Sequence, residues 1–477
     1  MRSTLSCRNR SVASASSLII SWLLIVQPVA AFASGGVRQS SAAVDQRAIQ
    51  VLSRLSFGAR PGDLDAVKKM GVPAYIEQQF SPDSIDDSAL QNRLNKLSTL
   101  MLSSPTIAEL YNPPKPTPTP SPAVAKTEQS VAAGSIMPEP IATPAVSASP
   151  TPTPKPTPPP KNPGMVVGEL QRAKLLRAVY SERQLYEVMV DFWENHFSIF
   201  ANKDADRLLL TGFDRDSIRP FAMGRFRDLL GATAHSPAML FYLDNWTSSV
   251  VHNYPATKDR PARSTGGINE NYARELMELH TLGVGGGYTQ QDVQEVARCF
   301  TGWTIRRPDQ EGLFFYNPAQ HDNGEKTVLG QKIPAGGGVA DGERVLDILA
   351  KSPATAKFVV TKMARRFVGD KPPASLVNRA SAIFLKTDGS ISETLRSIIT
   401  SPEFFNQTAY RTKVKSPFEF VASALRATDA ETDAGAPVLG WISRMGQPVY
   451  GHVTPDGYPD MSTAWLSNND LLARFNF

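Results

Sequence analysis

Along most of this chain the apolar positions recur at helical spacing. Phe358, Val359, Met363 and Phe367 fall on one face of a helix, and Phe420, Val421, Ala424 and Leu425 on another. Strand-like alternation is scarce. Helix starts are marked by a hydroxyl followed by proline, at Ser236-Pro237, Ser352-Pro353, Ser401-Pro402-Glu403 and Ser416-Pro417-Phe418-Glu419. A hydroxyl at the N-cap accepts an otherwise unpaired backbone N–H, and proline at the first helical position forfeits an N–H that would be unpaired anyway. Glu419 sits where a capping box needs it, and Thr289-Gln-Gln-Asp292 is a looser version. The pattern predicts an all-α fold, an irregular multi-helix domain with long functional loops.

One stretch breaks the pattern. From 112 to 163 roughly one residue in three is proline, with Thr-Pro repeats at both ends. Proline fixes φ and removes a backbone donor, and the few apolar side chains here cannot offset the entropy of ordering them, so a disordered insertion is predicted. The block before it, 44–111, is about 70 residues, near the lower limit for an independent core without cross-links. It therefore reads as the first part of a main domain that resumes over 164–477.

The first 33 residues read as a signal peptide: Arg2, Arg8 and Arg10, an apolar run from Leu18 to Val26, and Ala31-Phe32-Ala33 as the cleavage site. Its removal takes away three arginines and no acids, so the formal charge falls from +5 to about +2, and nucleic-acid binding is not indicated. No later segment is apolar enough to span a bilayer. The expectation is an exported protein, periplasmic or extracellular. Cys7 leaves with the signal, so Cys299 remains without a disulfide partner and burial must hold the fold.

Candidate chemistry concentrates at 268–283. With about 100° per residue, Asn271, Glu275 and Glu278 share one side of a helix, whereas Tyr272, Leu276 and Leu279 fill the other. His280 lies roughly 140° from Glu275, so the apparent Glu-x-x-Glu-x-His ligand set is an artefact of linear reading, and His280 reads as a packed core histidine. Arg274 is the local partner expected for Glu278, and a divalent cation the functional one. His196, in Asp191-Phe-Trp-Glu-Asn-His-Phe197, sits among aromatics. It is either a buried structural histidine or, tuned by its surroundings, a base or neutral ligand beside Asn195. Asp244 precedes a loop that returns the chain to Asn269, and His321 lies in a turn. The glycines at 283–287 follow a helix and lack a Lys-Ser/Thr, which favours helix termination over phosphate binding.

Taken together, Val51 to Asp63, Phe192 to Phe197, Asn269 to Leu276 with its Gly-Tyr-Thr continuation, Thr301-Gly-Trp303-Thr and His321-Asp322 resemble the bacterial family called domain of unknown function 1800. The resemblance implies an exported, mainly helical protein. It also implies a sulfatase-like candidate partner, since members are often encoded near such a family. Two departures stand out: Gly285 replaces an acidic residue of the family pattern, and Tyr458 replaces a tryptophan. The chain ends within what looks like the family's penultimate helix, so an exposed apolar face on Leu471, Leu472 and Phe475 is expected.

The sequence shows no nucleophile elbow and no paired cysteine motif, which favours a cell-envelope scaffold or partner-binding protein. The alternative is a hydrolase-like or metal-binding enzyme. Its catalytic candidates are His196, Asp244, Arg274, Glu275 and Glu278, and its binding candidates Asn195, Asn269, Asn271, Trp303 and His321.

Overall fold

The computed structural model describes residues 41–112 and 162–477, so the segment expected to be a signal peptide and nearly all of the Pro-rich stretch lie outside the described residues. The chain is mostly helical. Before the stretch come α1 (Ser41–Leu55), α2 (Asp63–Met70), α3 (Val72–Gln79), α4 (Ser88–Leu94) and α5 (Ser104–Tyr111). After it come α6 (Gly164–Tyr180), α7 (Gln184–His196), α8 (Asp206–Gly212), α9 (Phe226–Ala234), α10 (Pro237–Tyr242), α11 (Asn271–Glu278) and α12 (Gln290–Cys299). The chain closes with α13 (Val339–Ala350), α14 (Pro353–Phe367), α15 (Ala374–Lys386), α16 (Ile391–Ile399), α17 (Pro417–Ala427), α18 (Ala436–Arg444) and α19 (Asn468–Asn476). Among the described residues, no helix is long and apolar enough to cross a membrane.

Helix starts follow local chemistry where nothing else competes. Thr289 and Ser416 each form a complete capping box, at the heads of α12 and α17, and Ser352 Oγ accepts from Ala354 N at 3.2 Å. Ser236 heads α10 but makes no side-chain cap hydrogen bond. Ser401-Pro402 opens turns instead of a helix. There, α1 supplies the donors: Gln50 bonds the Phe404 carbonyl at 3.0 Å and Arg54 the Ala409 carbonyl at 2.7 Å. These tertiary hydrogen bonds satisfy carbonyls that helical bonds would otherwise claim.

The all-α expectation needs one refinement. Three antiparallel hairpins interrupt the helices: β1 (Ser249–Tyr254) with β2 (Arg263–Gly267), β3 (Trp303–Arg306) with β4 (Leu313–Tyr316), and β5 (Lys326–Val328) with β6 (Gln331–Ile333). Their strands are three to six residues long. Runs that short give alternation too little length to stand out from helical background. The Trp303↔Tyr316 register turns Trp303 and Ile305 inward.

One apolar core draws on both sides of the Pro-rich stretch. Val51 and Leu55 of α1, Trp193 of α7, Val359, Met363 and Phe367 of α14, and Val421 of α17 all belong to it. Here α1 packs on α7 and α14, and α6 packs on α7 and α17. That arrangement leaves the polar sides of α6, α7, α14 and α17 turned toward one cleft.

Candidate functional site

On the polar strip of α11 Asn271 is exposed while Glu275 and Glu278 are half-buried, and the partners differ from those expected. Arg274 bonds Glu270 at 3.2 Å and Gln290 at 3.0 Å, not Glu278, which instead accepts from the Tyr288 hydroxyl at 3.0 Å. Burial, then the neighbouring Glu278 charge, pushes the Glu275 carboxyl up, and Asp456 from the C-terminal loop adds to the rise. Asp244, Asn269 and Asn271 do come together. Asp244 adopts a left-handed φ of 60° beside Lys203, 2.8 Å away, while Asn269 and Asn271 donate to the carbonyls of Asp244 and Leu243. Their side-chain amides thus fasten the end of α10 to the start of α11. Thr281, which regular helical spacing would put beside Glu278 on the polar side, is buried. Past Glu278 the turn widens, His280 N bonding Glu275 O at 3.0 Å, and this phase shift carries Thr281 inward.

Three other candidates lie apart from this strip. His196 is buried, stacked flat on Phe192 and edge-on to Trp193 and Phe197, with Nε2 donating to the His280 carbonyl at 3.0 Å. Burial, with the Lys362 charge second, holds His196 well below the ordinary histidine range and brings His280 down to about 3. Both rings are therefore neutral. Trp303 is enclosed by His235, Phe300 and Phe314. His321 is equally buried, bonding Thr301 O at 2.8 Å and facing Asp341 at 3.2 Å. Lys326 shares that carboxylate at 2.6 Å, so the three tie β5 to α13. Among the described residues no group of three or more His, Cys, Asp or Glu is placed to hold a metal ion.

Asn195 leads elsewhere. Its Oδ1 accepts from Tyr458 N at 2.8 Å and its Nδ2 donates to Tyr458 O at 2.9 Å, a two-point clamp that holds the 448–460 loop against α7. The approach requires glycine at 457: φ is +71°, and a Cβ there would stand 2.2 Å from the Asn195 carbonyl oxygen. Behind the clamp lies a cleft of about 960 Å³, part of it open to solvent. The loop divides two polar regions. His452 and Tyr458 line the cleft, whereas Val453 O accepts from the Tyr242 hydroxyl at 2.7 Å and Asp456 acts on Glu275. Glu275 itself does not line the cleft.

Two charged groups form the cleft walls. In the first, Lys174 of α6 sits 2.8 Å from Asp191 and 2.7 Å from Glu194, and the Tyr450 hydroxyl donates to Glu194 at 2.7 Å. Glu194 is only 3% exposed. Burial is the largest cause that raises its pKa, to about 7, and its carboxyl faces Asp214 on the π-helical turn Phe213–Ile218, where Arg219 and Arg177 hold Asp214 low. Burial also works against the Lys174 ammonium, but Asp191 and Glu194 more than offset it. In the second group Glu419 lies between Arg366 at 2.8 Å and Lys413 at 2.9 Å. Burial opposes the Glu419 charge, yet these two cations hold it ionised far below the usual range. One carboxylate cannot compensate both cations. Burial and the Arg366 charge bring Lys413 down to about 7.

Most of these cleft residues were not singled out by sequence reasoning, Asn195 excepted. A signal existed for two of them, because Asp191, Glu194 and Asn195 stand at i, i+3 and i+4, on the helix face opposite the Met189–Trp193–His196 stripe. Arg366 and Lys413 carry no comparable signal. They meet Glu419 only through packing.

Comparison with the curated proteins and with the solved structures found no match. The segments that carried the family resemblance are spread over the molecule as joints: the Asn195 clamp, the Asn269 and Asn271 fastening, the Trp303 hairpin and the His321–Asp341 brace. A family model described as a protein of unknown function (DUF1800) matches residues 50–477, and the chain belongs to that family.

Proposed function

We propose that this is an exported protein that binds a small polar molecule in the cleft between α6, α7, α14 and α17, and that the cleft is built for hydrolase-like acid–base chemistry. One observation carries the reading. Groups remote in sequence converge on an enclosed space with their proton affinities displaced in opposite directions, Glu194 up and Lys413 down to about 7. Such displacement toward neutrality brings an acid and a base within reach of proton exchange near pH 7. Aromatic and apolar walls from Phe192, Phe418, Tyr458 and Trp465 suit a ligand with a non-polar body.

Trp465 lines the cleft and reports on its contents. Titrating the mature protein with fractionated small molecules from cell envelopes should give a saturable change in tryptophan emission. That change should be lost in Trp465→Phe and weakened in Lys174→Met, and mass spectrometry should identify the bound compound. If every fraction leaves the emission unchanged, the reading fails.

A second reading, an envelope scaffold, is favoured by the β1–β2 hairpin. From 251 to 266 all residues but His252 are exposed, including Val251 at 55% and Tyr254 at 46%. Exposed apolar side chains on a two-stranded ribbon suit a protein partner. The sulfatase-like protein implied by the family resemblance is the first to try, by pull-down with and without residues 250–266.

A further inference from the structure

We propose that the Arg366–Lys413 wall of the cleft is a subsite for an oxyanion, a carboxylate, phosphate or sulfate borne by the ligand. This deepens the small-molecule reading above and rests on it. Arg366 comes from α14 and Lys413 from the segment leading into α17, and both converge on one oxygen, Glu419 Oε1. The other oxygen is taken by Ser416 N at 3.0 Å, as part of the capping box. Glu419 therefore has no lone carboxylate oxygen to give each cation.

The guanidinium is the less satisfied partner. Arg366 Nη2 lies at ion-pair distance from Glu419 but off the N–H direction, and neither terminal nitrogen of Arg366 has a hydrogen-bond acceptor among the described residues. Both atoms are buried. Arg54 stands behind on α1, with Nη2 on the Ala409 carbonyl and Nη1 again lacking an acceptor among the described residues. Burial is the larger cause that brings Arg54 down to about 10, and Arg366 the next. Lys413 has three donors, of which Glu419 and the Arg366 carbonyl at 3.2 Å take two.

A planar fork of unpaired N–H groups beside an ammonium is the arrangement that carboxylates, phosphates and sulfates satisfy, because their oxygens match the spacing of the fork. The start of α17 adds to the positive potential without supplying donors. Phe418 N is already on Gln447 at 2.8 Å, and Glu419 N on Ser416 Oγ at 3.3 Å. The opposite wall is different, since Lys174 there is matched by Asp191 and Glu194. The cleft thus has a basic end and an acidic end, which orients a ligand with its anionic group toward α14.

The test uses the full mature protein with three simple probes: sodium sulfate, inorganic phosphate and acetate, titrated by calorimetry and by Trp465 emission. One equivalent per chain should bind, and the preferred probe identifies the oxyanion class. Sulfate keeps its charge between pH 8 and 6, whereas Lys413, facing Arg366, Glu419 and Arg54, gains its proton over that range. Sulfate affinity should therefore rise about tenfold from pH 8 to pH 6. Lys413→Met should flatten this dependence, and Arg366→Lys, which keeps the charge but loses the fork, should weaken binding at every pH. Competitive acetylation of wild-type lysines, read by peptide mass spectrometry, needs no variant: sulfate should slow labelling of Lys413 selectively. Saturable binding of none of the three probes at pH 6, or binding with Lys413 labelling unprotected, overturns the subsite. If an envelope fraction still shifts Trp465 in that case, the cleft reading survives alone; if nothing shifts it, both fall.

Discussion

Acidification should unfold this protein through two histidines that cannot take up a proton in the folded state. His196 and His280 touch one another, each wholly enclosed by burial, and His280 is brought from an ordinary 6.5 down to about 3. Lys362 nearby adds a like charge. In the unfolded chain both rings titrate normally, so below pH 6.5 the unfolded state binds protons that the folded state refuses. The sign follows directly: stability is full above 6.5 and falls as the pH drops. At pH 5 the His280 share of the loss is about 2 kcal/mol, and His196, shifted in the same direction, adds to it. Urea melts of wild type and His280→Leu at pH 7 and pH 5 separate this from carboxylate titration, because the carboxylates are common to both proteins. The variant starts less stable but should lose about 2 kcal/mol less than wild type over the interval. Parallel losses in the two proteins would show that His280 is protonated normally when folded, and the reasoning from burial would be wrong.

Further tests separate packing from polar surface. Trp193→Ala removes a fully buried ring whose Nε1 donates to Ala222 O at 2.9 Å, and should cost roughly 3–5 kcal/mol, whereas the half-buried Glu275→Gln should stay within about 0.5 kcal/mol in the same melts. Lys326→Met leaves Asp341 buried with only the His321 ring beside it, and should cost about 3–5 kcal/mol; a melting temperature unchanged from wild type would contradict the brace. Cys299 is fully buried, and burial raises its thiol to about 12, so a thiol reagent should react only after denaturation. Prompt labelling of the native protein would place Cys299 nearer the surface than the core packing puts it.

The family motifs were legible because they are contiguous, yet their role was not. Asn269, Asn271 and Asp244 looked like site oxygens, but two of the three use side-chain amides to fasten backbone carbonyls. Arg274 looked like the partner of Glu278 from helical spacing. The capped start of α12 brings Gln290 within its reach, and the pairing changes. The exposed apolar positions of α19 were readable, Leu472 and Phe475 being 60% and 86% exposed.

What the sequence determined by itself is local and periodic: helix-dominated structure, the capping boxes at Thr289 and Ser416, and the burial of His280 on an apolar stripe. These depend on backbone geometry within a turn or two, where spacing along the chain equals spacing in space. The cleft was decided only by tertiary packing. Lys174, Glu194, Arg366 and Glu419 are separated by tens to hundreds of residues, and no periodicity relates them. Each is an ordinary helix charge until α6, α7, α14 and α17 pack and take their solvent away. The energy of a charge depends on what surrounds it in three dimensions, and that is information a linear pattern does not hold.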